Sequence, residues 1–343
     1  MGDPIDIKTK KVFFKETHRD KFDKDLVLDV MEKNIVANWD TWGRFQQIWT
    51  NQAYNTFKDF DKYLVLIYLI RDYFQQHANK FSYQSYEEFY AFDFLTIDKL
   101  NLIKISNELN IPKETIRRKV NELQRDEILS REGKKIILTK KAGFFQKPEA
   151  SLEALSSFLE KKSKVLQGEK WFGNSLSKSE IMSYIEKYFT IMWLSFLKLQ
   201  IPFLLRHRAN FGDLETWMIW GNVAIHQQKG LSKLQEQNLT TDMDSEINYN
   251  NYFKKLSDIG ALRGVNASSI SDITSIPRAT VIRKLKWLVK RDVLKKNRQL
   301  EYIMTNTGKL NKKIEQNFRN NQVLVSEFLT DFFDYYKNSN FKP

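Results

Sequence analysis

The sequence predicts a mainly α-helical protein in which one unit of two helices and a β-hairpin occurs twice. Three observations predict this fold class: an internal repeat, a helical spacing of apolar residues inside the repeat, and a concentration of positive charge around both copies. Because a repeated unit buries its apolar face in the same way each time, the repeat indicates the architecture more strongly than any single element.

The repeat pairs residues 105–129 with residues 270–294 without a gap, and nine of the 25 aligned positions are identical. Both copies continue into an apolar–Thr–Gly pattern, "ILTKKAG" at 137–143 and "IMTNTG" at 303–308. The identical pairs are Ile105/Ile270, Ser106/Ser271, Ile111/Ile276, Pro112/Pro277, Thr115/Thr280, Arg118/Arg283, Lys119/Lys284, Leu123/Leu288 and Leu129/Leu294.

The central segment of each copy is predicted to be a helix that starts at a proline. Pro112 and Pro277 suit the first helical position, where a missing N–H costs nothing. Apolar residues then recur at i, i+4 and i+7, which predicts one buried stripe per helix. The stripes consist of Ile116, Val120 and Leu123 in the first copy, and of Val281, Leu285 and Leu288 in the second.

The flanking segments complete the unit. "LIKISNELN" and "ASSISDITS" predict a supporting helix, while "EILSREGKKIILT" and "DVLKKNRQLEYIMT" are β-prone around a basic tip and predict a hairpin. Upstream, "YEEFYAF" (86–92) aligns with "LETWMIW" (214–220) at an offset of 128 instead of 165, which predicts an insertion of about 37 residues in the second copy. The polar, turn-rich stretch 231–251 is the natural place for it.

We therefore predict three segments. They are an N-terminal helical extension over 1–50, a first unit over 51–165, and a second unit over 166–343 with an insertion near 231–258.

Positive charge is concentrated around the two copies. The chain carries a net charge of +13, yet residues 99–147 carry +7 and residues 263–313 carry +10, so the other 243 residues carry −4. A compositional bias of the genome would spread the charge over the whole chain. Its concentration indicates surfaces that bind a polyanion.

Several other classes of protein are disfavoured. The chain has no cysteine, which excludes disulfide frameworks and thiolate metal sites. We find no phosphate-binding loop, nucleophile elbow or zinc-protease motif, so we expect no enzyme, no cofactor and no metal. Residues 188–205 form an apolar run, but it contains Lys198, Gln200 and Pro202, which favours a buried helix over a membrane span. Without an apolar stretch at the N-terminus, a cytoplasmic location is expected.

The repeated motif resembles winged helix-turn-helix proteins, and most closely the MarR-type transcriptional regulators. In that family the recognition helix begins I-P-x-x-T/S-V-x-R and an L-T-x-x-G pattern follows the wing. The first copy carries these features at Ile105, Leu109, Ile111, Pro112, Thr115, Arg118, Leu138, Thr139 and Gly143. The second carries them at Ile270, Ile276, Pro277, Thr280, Val281, Arg283, Met304, Thr305 and Gly308. The chain departs from the family in having two units per chain and short wings without an Asp-x-Arg element.

The resemblance implies two winged helix-turn-helix units, each with a small β-hairpin wing, joined by long flanking helices into a pseudo-dimer. The candidate flanking helices lie at 62–77, 181–200 and 323–336. Because an α-helix is about as wide as the major groove of B-DNA, at roughly 10–12 Å, the exposed face of each central helix can reach base edges. The implied partner is double-stranded DNA, with no membrane.

We predict a sequence-specific transcriptional regulator that reads two half-sites with two recognition helices of one chain. Glu114 and Arg117 align with Ala279 and Ile282, so the two recognition helices present different side chains. The preferred DNA site should therefore be asymmetric. The predicted contact residues are Lys113, Glu114, Thr115, Arg117, Arg118, Lys134, Lys135, Arg278, Thr280, Ile282, Arg283, Lys284, Lys286 and Arg298.

Other interpretations stay open. The exposed arginines are also consistent with solvated surface charge, and tandem winged helices also occur in plasmid-type replication initiators. A winged-helix protein-interaction module is a third alternative, although it would favour an acidic or apolar face. Trp193, Trp217 and Trp220 are expected in the core, with a small-molecule effector pocket as the alternative. The sequence leaves further homodimerisation undecided.

Overall fold

The computed structural model describes residues 10–11, 23–80, 82–98, 100–139, 149–167, 173–236, 247–260, 264–339 and 341. Over these residues the chain is mainly helical, with small antiparallel sheets, so the predicted fold class is confirmed at this level. We call the described residues up to 167 the first half and those from 173 onward the second half.

The first half contains seven helices and five strands among its described residues. The helices are α1 (Lys24–Lys33), α2 (Ile35–Phe57), α3 (Phe60–Asn79), α4 (Tyr86–Tyr90), α5 (Leu102–Leu109), α6 (Lys113–Arg125) and α7 (Glu149–Leu166). The strands are β1 (Lys10–Lys11), β2 (Ser82–Tyr83), β3 (Phe94–Ile97), β4 (Leu129–Glu132) and β5 (Lys135–Thr139). Strands β1 and β2 pair with each other, whereas β3, β5 and β4 form one antiparallel sheet in that order.

The second half repeats this order with fewer strands. Its helices are α8 (Lys178–Lys187), α9 (Phe189–Phe211), α10 (Leu214–Glu236), α11 (Tyr252–Gly260), α12 (Ala267–Thr274), α13 (Arg278–Lys290) and α14 (Lys309–Asn338). Strands β6 (Leu294–Lys296) and β7 (Tyr302–Met304) form an antiparallel hairpin. Val265 makes a single antiparallel bridge to Tyr302, at the place along the chain that β3 occupies in the first half.

The duplication extends well beyond the motif that the sequence revealed. Helices α8, α9 and α10 each start 154 residues after α1, α2 and α3, and the 23-residue length of α2 recurs in α9. Helices α12 and α13 follow α5 and α6 at an offset of 165. The buried face of α14 repeats that of α7 at an offset of 170, with Phe158 and Phe328 at the same position.

These offsets correct the predicted organisation upstream of the motif. Residues 214–220 form the first turns of α10 and correspond to the start of α3, so their alignment with 86–92 was wrong. The offset rises from 154 to 165 between α10 and α12, so the second half gains 11 residues there, not about 37. Helix α2 also runs through the predicted boundary at residue 50, and α1 and α2 match α8 and α9. Residues 23–50 therefore belong to the repeat and are not an extension.

The turn between the two helices of each unit has the same conformation in both copies. Asn110 and Ser275 end the supporting helices in the left-handed region, at φ 49° and 58°. The hydroxyl of Ser106 donates to the carbonyl oxygen of Ile111 at 2.7 Å, and Ser271 repeats this bond with Ile276. The prolines lie one residue earlier than predicted: with ψ near 134° they cap α6 and α13 instead of opening them.

The two halves exchange packing partners across an approximate two-fold relation. Helix α2 packs on α10 and α9 packs on α3, while α1 packs on α14 and α8 packs on α7. At the centre, the buried amides of Gln46 and Gln200 donate to each other, with Nε2···Oε1 distances of 2.8 and 2.9 Å. These residues are equivalent at the 154 offset. A contact that joins a position to its own equivalent is the mark of a two-fold relation.

Helix α9 is the core helix of this arrangement. It is the one helix in the described ranges that is long and apolar enough to cross a membrane, with a mean hydropathy of 1.2, and 67% of its apolar window is buried inside the protein. The predicted flanking helix at 181–200 is broken at Tyr188, which lies between α8 and α9. The other two segments predicted as flanking helices, 62–77 and 323–336, lie within α3 and α14, whereas α2 was not among the predicted ones.

One core position differs sharply between the halves. Lys162 on α7 is almost fully buried, and its Nζ donates to Oδ1 of Asn38 on α2. Burial lowers the pKa of Lys162 well below its ordinary value. The equivalent residues in the second half are Met192 and Phe332, both buried and apolar. The polar pair is therefore not required by the packing scheme.

We predict that the double variant Asn38→Leu/Lys162→Met is more stable than the wild type at pH 7, by about 1 kcal/mol or more, because it removes two buried polar groups together. The unfolded lysine binds a proton below about pH 10.4, whereas burial lowers the pKa of the folded amine, so the unfolded state binds more protons in the range below pH 10.4. Wild-type stability should therefore rise with pH, and the advantage of the double variant should shrink toward pH 10. Urea unfolding at pH 7 and pH 10 measures both effects.

The single variant Asn38→Leu serves as the control. It should be less stable than the wild type, because it leaves the buried amine without its acceptor. A double variant that is less stable at pH 7, or an advantage that does not change with pH, would contradict the prediction.

Candidate functional site

The predicted contact residues lie mainly on the exposed faces of α6 and α13 and on the two hairpins. Most of their side chains are exposed to solvent, while those of Thr115, Thr280 and Ile282 are partly buried. The exposed residues are Lys113, Glu114, Arg117, Arg118, Lys134, Lys135, Arg278, Arg283, Lys286 and Arg298. In each half, one exposed helix face is thus accompanied by a basic hairpin tip.

The first hairpin turns in two residues. Glu132 pairs with Lys135, and Gly133 occupies the first turn position at φ 61°, a conformation that favours glycine. The second hairpin has a longer tip over residues 297–301, in which Asn297 accepts from the backbone N–H of Glu301 through its side chain. Both tips end in exposed cations, as predicted.

The exposed face of α6 carries cations that are already paired with acids. The Nε of Arg117 donates to both carboxylate oxygens of Glu114, at 3.1 and 3.0 Å. This hydrogen bonding lowers the pKa of Glu114 below its ordinary value. The Nε of Arg118 lies 3.8 Å from Oε1 of Glu122. Two of the five basic residues of α6 therefore have an acidic neighbour on the same exposed face.

The exposed face of α13 carries no such compensation. Ala279 and Trp287 stand where Glu114 and Glu122 stand in α6, and α13 itself contains no acidic residue. Within the described part of the chain, the three exposed cations predicted on α13 have no acidic partner within ion-pair distance. These cations are Arg278, Arg283 and Lys286. The guanidinium of Arg291 lies 3.7 Å above the ring of Trp287, so an aromatic surface and a cation continue the same face.

Lys284 was predicted to contact the ligand, but the structure places it elsewhere. It is 6% exposed, and its Nζ lies 2.7 Å from both carboxylate oxygens of Asp213 and 3.1 Å from the hydroxyl of Thr216. The equivalent lysine, Lys119, binds Asp59 at 2.6 Å in the same way. Both ammonium groups are buried in internal ion pairs. The prediction that Lys284 is an exposed contact residue is therefore wrong.

These ion pairs fasten α6 and α13 to the rest of the fold. Asp59 and Asp213 are the N-caps of α3 and α10, and each also accepts from a backbone N–H of the first turn. Although burial alone raises the pKa of Asp213, the hydrogen bonds from Lys284 and Thr216 hold it below its ordinary value. The two aspartates were missed in the sequence. Their signal was an identical residue at the 154 offset, directly before an apolar helix.

The threonine and glycine of the apolar–Thr–Gly pattern have structural roles. The hydroxyls of Thr139 and Thr305 donate to the carbonyl oxygens of Glu127 and Asp292, which follow α6 and α13 in the left-handed region. A Cβ on Gly308 would lie 2.6 Å from the carbonyl oxygen of Arg291 and 2.7 Å from that of Asp292, so only glycine fits there. This pattern therefore fixes the hairpin against the end of the helix. Gly143 lies outside the described residues.

No protein-family model, curated protein or solved structure matches this chain.

We predict that Asp213→Ala lowers the free energy of unfolding by about 1–3 kcal/mol, because it removes a helix cap and leaves a nearly buried ammonium with only one carboxylate, that of Glu215, at 3.3 Å. Asp59→Ala should act in the same direction. Since the pKa of Asp213 is lowered in the folded state, its contribution is present above about pH 4 and is lost as the pH falls further. Chemical denaturation at pH 7 and pH 3 measures this.

Asp272→Ala provides a matched control, since Asp272 is exposed on α12. It should change stability by less than about 0.5 kcal/mol. Equal effects of Asp213→Ala and Asp272→Ala at pH 7 would contradict the anchoring role of the ion pair.

Proposed function

We propose that this protein is a sequence-specific, double-stranded DNA-binding transcriptional regulator that acts in the cytoplasm. In this proposal each half contains one winged helix-turn-helix unit, with α6 and α13 as recognition helices and the two hairpins as wings. The units form a single-chain pseudo-dimer of the MarR type. One chain then reads two half-sites without needing a second copy.

The observation that carries the proposal is the repetition of one exposed basic helix face under an approximate two-fold relation. Dimeric helix-turn-helix proteins use two such helices to read two half-sites about one helical turn of DNA apart. Here the reciprocal contacts of α2 with α10 and of α3 with α9 relate the two helices within one chain. The exposed cations supply phosphate contacts, and the residues between them supply contacts to bases.

The charges of the faces support DNA over a protein partner. A protein-interaction surface would favour apolar or acidic residues, whereas these faces present Lys113, Arg118, Arg278, Arg283 and Lys286 to solvent. DNA carries one negative charge for about every 1.7 Å of helix axis and therefore attracts such faces.

The two faces differ enough to read different sequences. The first presents a fixed Arg117–Glu114 pair, and an acid beside an arginine both orients it and discriminates against phosphate. The second presents uncompensated cations around Ile282 and Trp287. We therefore assign most of the affinity to α13 and much of the base discrimination to α6.

Selection from random duplex DNA at two salt concentrations tests the proposal. The wild type should enrich an imperfect, asymmetric repeat, and its affinity should fall steeply as salt increases, because bound cations release counterions from phosphates. The variant Arg118→Ala/Arg283→Ala should lose this enrichment. A matched control, Lys33→Ala/Lys164→Ala, removes two exposed lysines from α1 and α7 and should keep it.

Each alternative outcome has a distinct meaning. A perfectly symmetric preferred site would contradict the assignment of different roles to α6 and α13. Binding without any enrichment would indicate an architectural role, and absence of binding would favour a protein-interaction module.

We further predict that Arg283→Ala weakens DNA binding more than Arg118→Ala does. Arg283 has no acidic neighbour in the described part of the chain, whereas Arg118 lies beside Glu122. Losing a phosphate contact should weaken binding to all sequences about equally, and the slope of log K against log salt concentration should decrease by about 1. Fluorescence anisotropy on the selected site, at several salt concentrations, measures both. Equal losses for the two variants would show that the acids of α6 do not weaken its cations.

A further inference from the structure

The tip of the second hairpin presents one large apolar side chain to solvent. Leu300 is 70% exposed, more than any other large apolar residue in the described part of the chain. An exposed leucine gives up the stabilisation that burial would provide. Because single exposed apolar residues are common on protein surfaces, exposure alone assigns no function to Leu300.

Leu300 also adopts a backbone conformation that leucine disfavours. Its φ is 60°, in the left-handed region, where a Cβ comes too close to a carbonyl oxygen. The other non-glycine residues with positive φ in the described ranges are polar, and each lies at or directly after the end of a helix. They are Lys58, Asn110, Glu127, Ser275 and Asp292. Neither burial nor a helix end accounts for Leu300, and residues held in such conformations are concentrated at functional sites.

Hydrogen bonds within the tip hold this conformation. Asn297 donates its backbone N–H to the carbonyl oxygen of Glu301 at 2.9 Å, and its own carbonyl accepts from the N–H of Leu300 at 3.1 Å. The carboxylate of Glu301 accepts from Nδ2 of Asn297 and from the backbone N–H of Gly264, each at 3.0 Å. The tip is therefore fixed to its own hairpin and to the neighbouring segment, so Leu300 is held in one orientation.

Cations lie close to the leucine along the chain. Lys295, Lys296 and Arg298 are exposed on the same hairpin, and Nζ of Lys296 lies 5.1 Å from the centroid of the Tyr302 ring. Proteins that kink DNA from the minor groove combine such cations with an apolar wedge, often a leucine, which enters between two base pairs and partly unstacks them. The residues of this tip have the same chemistry.

The second hairpin is close enough to α13 to reach the minor groove beside its half-site. Strand β6 begins at Leu294, four residues after α13 ends at Lys290. The strand from Leu294 to Asn297 then extends about 10 Å at roughly 3.4 Å per residue. With α13 in the major groove, this length carries the tip across the adjoining sugar–phosphate backbone to the minor groove, which is about 6 Å wide.

The first hairpin lacks an equivalent wedge. The residue with positive φ at its tip is Gly133, at 61°, which has no side chain, and Lys134 follows it. Both hairpins therefore turn through a left-handed residue, but only the second places an apolar side chain there. A wedge on one hairpin alone would deform DNA at one end of the site.

We propose that Leu300 enters the minor groove next to the half-site bound by α13, partly unstacks one base step and kinks the DNA there. This inference rests on the proposed function. Wedges of this kind bend the duplex by about 20–90°. Since pyrimidine–purine steps unstack most easily, the preferred sites should carry TA or CA at this flank and not at the other. Leu300 thus contributes to specificity without a hydrogen bond to any base.

A fluorescent base in the selected duplex tests the wedge. 2-Aminopurine brightens when it is unstacked, so binding of the full-length wild type should brighten a probe at one flank of the site and not at the other. A mismatch at the same step lowers the cost of unstacking, so the wild type should bind the mismatched duplex about fivefold or more tightly than the matched one. Fluorescence anisotropy measures both affinities.

The variants separate the wedge from the conformation of the tip. Leu300→Gly removes the side chain and accepts a φ of 60° without strain, so it should still bind the duplex but lose both the brightening and the preference for the mismatch. Leu300→Met keeps a flexible apolar side chain and should retain both effects. The control Ile48→Ala removes an exposed apolar side chain from α2 and should behave like the wild type. Thermal unfolding of each variant establishes that it is folded.

The failures of the two proposals are distinguishable. A wild type that binds the duplex without brightening either flank would overturn the wedge and leave the proposed function intact. The same conclusion would follow if Leu300→Gly kept the brightening and the preference for the mismatch. A wild type that binds no duplex would overturn both proposals.

Discussion

The arrangement of the whole molecule depends on two buried amides that satisfy each other. Gln46 and Gln200 lie in an apolar core, and an unpaired amide there would cost about 1–3 kcal/mol. The pair is complete only when α2 and α9 face each other at equivalent positions, so it specifies their register as well as their contact. Because α2 packs on α10 and α9 packs on α3, this register also positions the helices that support α6 and α13.

Paired polar groups also connect the core helices to the exposed helices α6 and α13. The ion pairs Asp59–Lys119 and Asp213–Lys284 connect the start of each long helix to the middle of the exposed helix above it. These four residues agree between the halves because they hold the unit together. The exposed residues around them, such as Glu114 and Ala279, are free to differ. Identity is not confined to such contacts, since the exposed Arg118 and Arg283 are also identical at the 165 offset.

The core has diverged in a similar way. Asn38 and Lys162 in the first half are replaced by Met192 and Phe332 in the second, and buried Leu197 and Ile67 stand at the positions equivalent to Gly43 and Gly221. A core tolerates changes of this kind when its overall pattern and volume are maintained. Duplication within one chain therefore allows equivalent core positions to carry side chains of different size and polarity.

The sequence alone determined the supporting helices, α6, α13 and both hairpins, because prolines, an apolar stripe and a left-handed turn act within a few residues of one another. It did not reveal that α1–α3 repeat as α8–α10, since these core helices share few identities and many apolar side chains satisfy one packing position. Only the tertiary structure showed that Lys284 is buried, because its partner Asp213 lies 71 residues away.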